Sequence, residues 1–341
     1  MNPALPNYQF LPAPLWLISV LHLLTLTLHF VAMNFMLGGV LILLVSRATG
    51  RWNNPTVRAF LKYFPTLMAA TITLGVAPLL FVQLVFPRQV YSATIVSGWF
   101  WLLIIAVLIV AYYCLYAASF SKLTGTSGKY LGLALLGMLY VSLVNSSVFS
   151  LAERPDIYKA LYAANQSGLV INTDWTGWLL RWLHMITGAV TVGGFFIGLL
   201  GRDDPNASAA GRSFFVGGMA AAFVLGLAYL FTLTDILGPI MRGPAIWALT
   251  LSILLSLGAL HLFLKRRFLL SGILMFVSLL GMVIARHYVR LISLEKSYDP
   301  ATVTVTPQWS VFAIFLVCFL LALGVLYYMI RLFVLSKEAS A

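Results

Sequence analysis

Charge is what this chain has least of: only 9% of its 341 residues are charged, nine are acidic, and 61% are hydrophobic. A soluble domain carries about 25% charged residues, and the mean hydropathy here is +0.98. That combination excludes a water-soluble globule, a disordered chain and a nucleic-acid reader. The formal charge of +12 therefore belongs to cationic loops beside anionic lipid, as membrane topology requires. Cysteine is nearly absent too. Cys114 and Cys318 sit in apolar runs with no CxxC or CxxCH, so no disulfide framework, thiolate metal site or covalently attached c-type haem is encoded. Residues 1–14 lack the basic flank of a signal peptide, and the apolar stretch after them is too long for one, so it is expected to stay as the first span. No low-complexity tract, soluble domain or internal repeat is evident at this level, and residues 1–341 read as a single transmembrane domain.

What is there is helix. Spanning the hydrocarbon takes about 20 apolar residues, and the chain divides into about nine such runs, near 14–46, 64–86, 95–120, 130–151, 177–200, 213–235, 244–264, 268–292 and 309–334. No alternating barrel pattern competes, so the expected fold class is an all-α polytopic membrane bundle. The connections carry turn residues, as at 50–55 and 202–206. Thirteen basic residues, including Arg47, Arg51, Arg58, Lys122, Arg202, Arg212, Lys265, Arg266, Arg267 and Lys337, fall on one side, and eight on the other. The positive-inside rule places the N-terminus outside and the C-terminus in the cytoplasm. Eight of nine tryptophans map to outer helix ends, with Trp52 alone inside.

Ionisable groups inside a bilayer are expensive and default to functional hypotheses. Five histidines qualify: His22, His29, His184, His261 and His287, whereas no Asp or Glu occupies the centre of any span. At about 1.5 Å per residue, His22, His184, His29 and His287 cluster in the outer half. Neutral imidazole is the usual axial ligand of a b-type haem. Such a group also needs a small residue beside its ring and cations for its propionates. Gly188 follows His184 by one turn, Arg181 precedes it by three residues, Arg286 and Arg290 bracket His287, and Arg242 follows the potential thioether ligand Met241. These guanidiniums suit carboxylates, although arginines near helix ends also serve as snorkelling anchors. His22 reads as a ligand or a simple polar contact. His261, beside Lys265-Arg266-Arg267, reads as a packing residue hydrogen-bonded to a neighbouring helix. The Gly193-Gly194 and Gly217-Gly218 pairs and the Gly194-to-Gly198 spacing mark close helix packing.

Several segments resemble the large subunit of the cytochrome bd quinol oxidases. Leu28-His29-Phe30 followed by Leu37-Gly38-Gly39 is similar to that family's first helix, whose histidine holds the haem at the oxygen-reactive site. Thr73-Leu74-Gly75-Val76-Ala77 resembles a glycine-valine-alanine run. Trp182-Leu183-His184-Met185 with Thr191-Val192-Gly193-Gly194 looks like the helix whose histidine binds the low-spin haem, for which Met241 is the implied second ligand. His287-Tyr288-Val289-Arg290 has the spacing of a segment whose acid ligates the high-spin haem. Three departures bear on function. Gln83 stands where the family has an acid, His287 replaces the later acid, and only Asp235 to Gly243 remains of the long quinol-binding loop.

The expectation is a subunit of an oxidoreductase: a haem b protein of two or three haems in a bacterial or archaeal inner membrane, passing electrons near the outer face. Its iron ligands would be His29, His184, His287 and Met241, with Arg181, Arg242, Arg286 and Arg290 on propionates. The implied partners are a second membrane subunit, quinone, a periplasmic c-type cytochrome and lipid, with no nucleic acid. Two other readings stand beside it: an oxygen-reducing quinol oxidase of the bd type, and a cofactor-free transporter or anchor. Pro78, after Gly75, is the one mid-span interruption that would suit a transporter.

Overall fold

A computed structural model describes residues 10–50, 60–120 and 126–338. Arg51, Trp52, Arg58 and Lys122, with the turn read at 51–55, lie outside the described residues. Among the described residues the chain is helical, with twelve α-helices and one isolated bridge in place of any sheet. They are α1 (Leu15–Ala48), α2 (Phe64–Val85), α3 (Pro87–Val96), α4 (Gly98–Phe120), α5 (Thr126–Leu151), α6 (Pro155–Ala164), α7 (Trp175–Leu200), α8 (Pro205–Thr232), α9 (Leu237–Arg242), α10 (Pro244–Leu264), α11 (Phe268–Leu294) and α12 (Trp309–Glu338). Eight of these, α1, α2, α4, α5, α7, α8, α10 and α11, are long and apolar enough to cross a membrane. They are the helices of a multi-pass membrane protein.

The ends of the spans follow local chemistry. α8 begins eight residues before the expected 213, because Asp204 caps it, its Oδ1 accepting from the amides of Asn206 (2.9 Å) and Ala207 (3.3 Å), and Pro205 takes the first turn. The turn residues at 202–206 thus start a helix instead of filling a loop. α2 runs unbroken through Pro78, so the expected interruption is not there. α3 and α9, both short, lie largely in the connections between the expected spans.

The contacts group the chain into two units. In one, the strip at 10–14 pairs with 304–308 through a parallel bridge between Leu11 and Val305, and the amide of Gln308 donates to the Pro12 carbonyl at 2.9 Å just before α12 begins. The other unit, residues 19–299, holds seven of the eight long helices whole and most of α1.

Within that larger unit the chain is built twice, which corrects the expectation of no internal repeat. His29 stands nine residues before the Gly38-Gly39 pair, and His184 nine before Gly193-Gly194. Phe64, Met68-Ala69-Ala70, Leu74-Gly75 and Ala77 of α2 recur at constant offset as Phe215, Met219-Ala220-Ala221, Leu225-Gly226 and Ala228 of α8. Leu135-Leu136-Gly137-Met138 of α5 recurs as Leu279-Leu280-Gly281-Met282 of α11. The packing repeats with the residues. Gly137 receives Val107 and Ala111 of α4, and Gly281 receives Ala248 and Ser252 of α10. Gly39 lies against Phe64, as Gly194 lies against the backbone of Phe214 and Phe215.

The two copies meet at equivalent glycines. A β-carbon at Gly193 would lie 2.6 Å from the Gly38 carbonyl carbon and 2.8 Å from the Gly39 amide. Backbone therefore touches backbone where α1 crosses α7, the close approach that small residues permit in membranes. Around this crossing the first copy fills its core with aliphatic and methionine side chains such as Met36, Val40, Leu115 and Leu131. The second uses phenylalanines, with Phe215 and Phe263 4.8 Å apart and Phe195 5.7 Å from Phe263. The expected close packing at Gly193, Gly194, Gly198 and Gly218 is present, whereas Gly217 faces open space.

Gly193→Ala should cost about 1–3 kcal/mol, the usual range for overpacking. Gly217→Ala should be neutral or stabilising, because it adds helix propensity into free space. Thermal unfolding of the two variants in detergent checks the contrast.

Candidate functional site

The repeated histidines occupy repeated seats. His29 of α1 bonds through Nδ1 to the Thr71 carbonyl of α2 at 3.0 Å, and His184 of α7 bonds through Nδ1 to the Ala222 carbonyl of α8 at 2.8 Å. A carbonyl oxygen only accepts, so each ring carries its proton on Nδ1 and leaves the Nε2 lone pair free. Each seat exists because a glycine stands one turn further along the partner helix. A β-carbon at Gly75 would lie 2.9 Å from His29 Cε1, and one at Gly226 would lie 2.9 Å from His184 Cε1. Carbonyl and glycine four residues apart share one helix face, so the imidazole lies flat on the backbone and reaches the oxygen. A ring oriented this way, with its distal nitrogen unprotonated, has the geometry that a metal ligand needs.

A third histidine is held alike: His22 Nδ1 bonds the Pro78 carbonyl at 3.1 Å, further along α2. His287 and Arg290 of α11 lie within electrostatic reach of His22. His287 differs, because its Nδ1 is buried without a hydrogen-bond partner. Nothing lies within 4 Å of where a β-carbon at Gly188 would be.

The arginines gather on a residue that sequence reasoning passed over. Glu153, just beyond α5, turns inward until its side chain is 7% exposed. Its Oε1 accepts from Arg290 Nε at 3.1 Å, its Oε2 accepts from Arg286 Nη2, and Arg181 Nη1 stands 3.9 Å from Oε2. Arg181 also donates through Nη2 to the Ser146 carbonyl at 3.0 Å, and the Arg290 guanidinium lies 5.6 Å over the Phe86 ring. Tyr229 of α8 lies within electrostatic reach of all three arginines. Burial opposes ionisation of Glu153, but the three guanidiniums overcome it and hold the carboxyl below its ordinary value.

Three guanidiniums on one carboxylate leave an excess of two positive charges in a buried place. Arg181 Nη1 and Arg286 Nη1 are both buried with no hydrogen-bond partner. Buried donors without partners are costly. Guanidinium donors of this kind are chemically suited to anionic oxygens.

Other expected residues lie apart from this network. Met241 is half exposed on α9, and exposed Arg242 donates through Nε to the Gly238 carbonyl of its own helix at 3.3 Å. His261 is exposed near the end of α10, not packed against a neighbouring helix. It continues the exposed stripe of α10 formed by Trp247, Leu251, Leu254, Leu257 and Leu264. Among the described residues no three His, Cys, Asp or Glu side chains converge as a metal-holding group. Neither a protein-family model nor a curated protein matches the chain.

Sequence reasoning missed Glu153 because it sits in a polar connection with nothing local to mark it as buried. It missed the seating role of Gly75 and Gly226, although the repeat that pairs them was available in the residues.

Removing one partner of a buried ion cluster leaves uncompensated charge, so Glu153→Gln should destabilise the protein by about 3–5 kcal/mol. Because the folded carboxyl titrates below its ordinary value of 4.5, its contribution is complete above that pH and is lost as pH falls through the folded value. Unfolding midpoints measured from pH 7 downward should drop for the wild type below about 4.5 and drop less for Glu153→Gln.

Proposed function

We propose that the chain is a b-haem-binding membrane subunit of a respiratory electron-transfer complex, related to the large subunit of cytochrome bd quinol oxidases. It would sit in a bacterial or archaeal cell membrane with its N-terminus outside, α12 forming the ninth span. One observation carries the reading: His29 and His184, at equivalent places in the two copies, each present a free Nε2 from a ring fixed on a partner carbonyl. His29 and His184 would hold iron, with His287 as a third ligand and His22 beside it. Met241 is proposed as a thioether ligand on its chemistry alone. The nitrogens of Arg181 and Arg286 that make no hydrogen bond, with Arg290, would receive propionates, and Arg242 is the outer candidate for the same role. Haem, when bound, supplies one-electron chemistry.

The chain's own residues do the rest. The carbonyls of Thr71 and Ala222 fix ring orientation and raise the basicity of the distal nitrogens. Glu153 gathers the three arginines at one place by offsetting their mutual repulsion. The open flank at Gly188 leaves width beside His184. Quinone, a second membrane subunit and a periplasmic c-type cytochrome are the proposed partners.

Oxygen reduction is the second reading, favoured by the position of His29 in its helix. It consumes protons, and no Asp or Glu lies in any of the eight apolar helices, so electron transfer is preferred. A transporter would show paired broken helices, whereas α2 and its counterpart α8 are both continuous.

Dithionite-reduced minus oxidised spectra test the assignment. Wild type should show protohaem bands, His29→Ala and His184→Ala should each lose part of them, and His261→Ala should keep them all. Carbon monoxide should leave the bands unmoved; a clear shift would mean an open iron and favour the oxygen reductase.

A further inference from the structure

Where α7 gives way to α8 and α10 to α11, the two short connections face one cleft of about 560 Å³, remote in sequence from the histidine seats. Its polar side is cationic: Arg202, Arg212 and Arg266 line it, with Lys265 and Arg267 adjacent in the chain. Asp203 also lines it, but its side chain is 93% exposed and paired with Arg202 at 3.5 Å. Asp204 is engaged in capping α8. The other side is apolar, formed by Leu264 at the end of α10 and Phe268 at the start of α11.

Arg266 occupies this place against its own backbone preference. The α10 terminus closes with the Arg266 amide bonded to the Phe263 carbonyl and the Arg267 amide to the Leu262 carbonyl. The residue at the turn then adopts the left-handed conformation that glycine normally supplies. Here it is an arginine at φ +58°, the one non-glycine with positive φ among the described residues. Its guanidinium reaches across to the Arg202 carbonyl, which ties the two connections together at the rim of the cleft.

We propose that this cleft binds the phosphodiester headgroup of an anionic phospholipid. Guanidiniums pair with phosphate oxygens in a planar, bidentate way. The cleft lies at the ends of four membrane-length helices, where headgroups reside. Leu264 and Phe268 continue from it onto the apolar spans, where acyl chains lie. A free inorganic anion would use the arginines and leave that apolar side in water. The inference is independent of the haem assignment, since none of its residues belongs to the histidine and arginine site.

The test uses full-length, delipidated protein in detergent, titrated with phosphatidylglycerol, phosphatidylcholine or inorganic phosphate while thermal unfolding is followed. Phosphatidylglycerol should raise the midpoint and phosphatidylcholine should not. Arg266→Gly should fold at least as well as wild type, because glycine relaxes the turn, yet should bind phosphatidylglycerol about fivefold more weakly. Adding Arg212→Gln should weaken it about fivefold again. Equal responses to the two lipids, or unchanged phosphatidylglycerol affinity in Arg266→Gly, would overturn the proposal. A full response to phosphate alone would also overturn it, in favour of a soluble-anion site.

Discussion

An imidazole enters hydrocarbon only if its N–H finds an acceptor, and in a membrane the acceptors are backbone carbonyls already committed to helices. His29 and His184 meet this constraint by using the second lone pair of a carbonyl on the neighbouring helix. That geometry needs a glycine one turn along, so that the ring can lie against bare backbone. Helix positions follow from it: α1 must lie on α2 at Thr71 and Gly75, and α7 on α8 at Ala222 and Gly226. The Gly38 to Gly193 crossing then brings the two pairs together. One hydrogen bond, used twice, sets both the packing and the free nitrogens on which the proposed function rests.

The charges break the symmetry that the histidines keep. Arg181, Arg286, Arg290 and His287 all belong to the second copy; the first has Leu26, Ser142, Ser146 and Leu143 at the corresponding positions. Glu153, at the end of the first copy's last long helix, is the counter-charge that lets three guanidiniums sit together. It neutralises only one of them. The remaining excess and the buried nitrogens that make no hydrogen bond are what the proposed propionate seat rests on. The two copies thus share a way of presenting a ring nitrogen, while one carries most of the electrostatics.

Much of this was legible in the residues. Hydropathy alone located the long helices, with α10 placed residue for residue at 244–264, because a twenty-residue apolar run in lipid has one solution. The histidines and arginines stood out because they are costly in that solvent. What stayed hidden depends on pairing across helices. No local signal says that Glu153 folds under its own helix to meet residues more than 130 positions away. His261 resembles its buried counterparts, but it stands on the exposed face of α10 with Leu254 and Leu257. The repeat was readable, but only when His29 and Gly75 were compared together with His184 and Gly226. Each motif alone is too short to exceed chance.

The claim at the centre is that two equivalent imidazoles present their Nε2 atoms to iron. The most direct measurement is the amount of extractable protohaem per polypeptide in the purified, folded protein. At least two per chain is the value the repeated seats predict; a folded chain that carries none would contradict it.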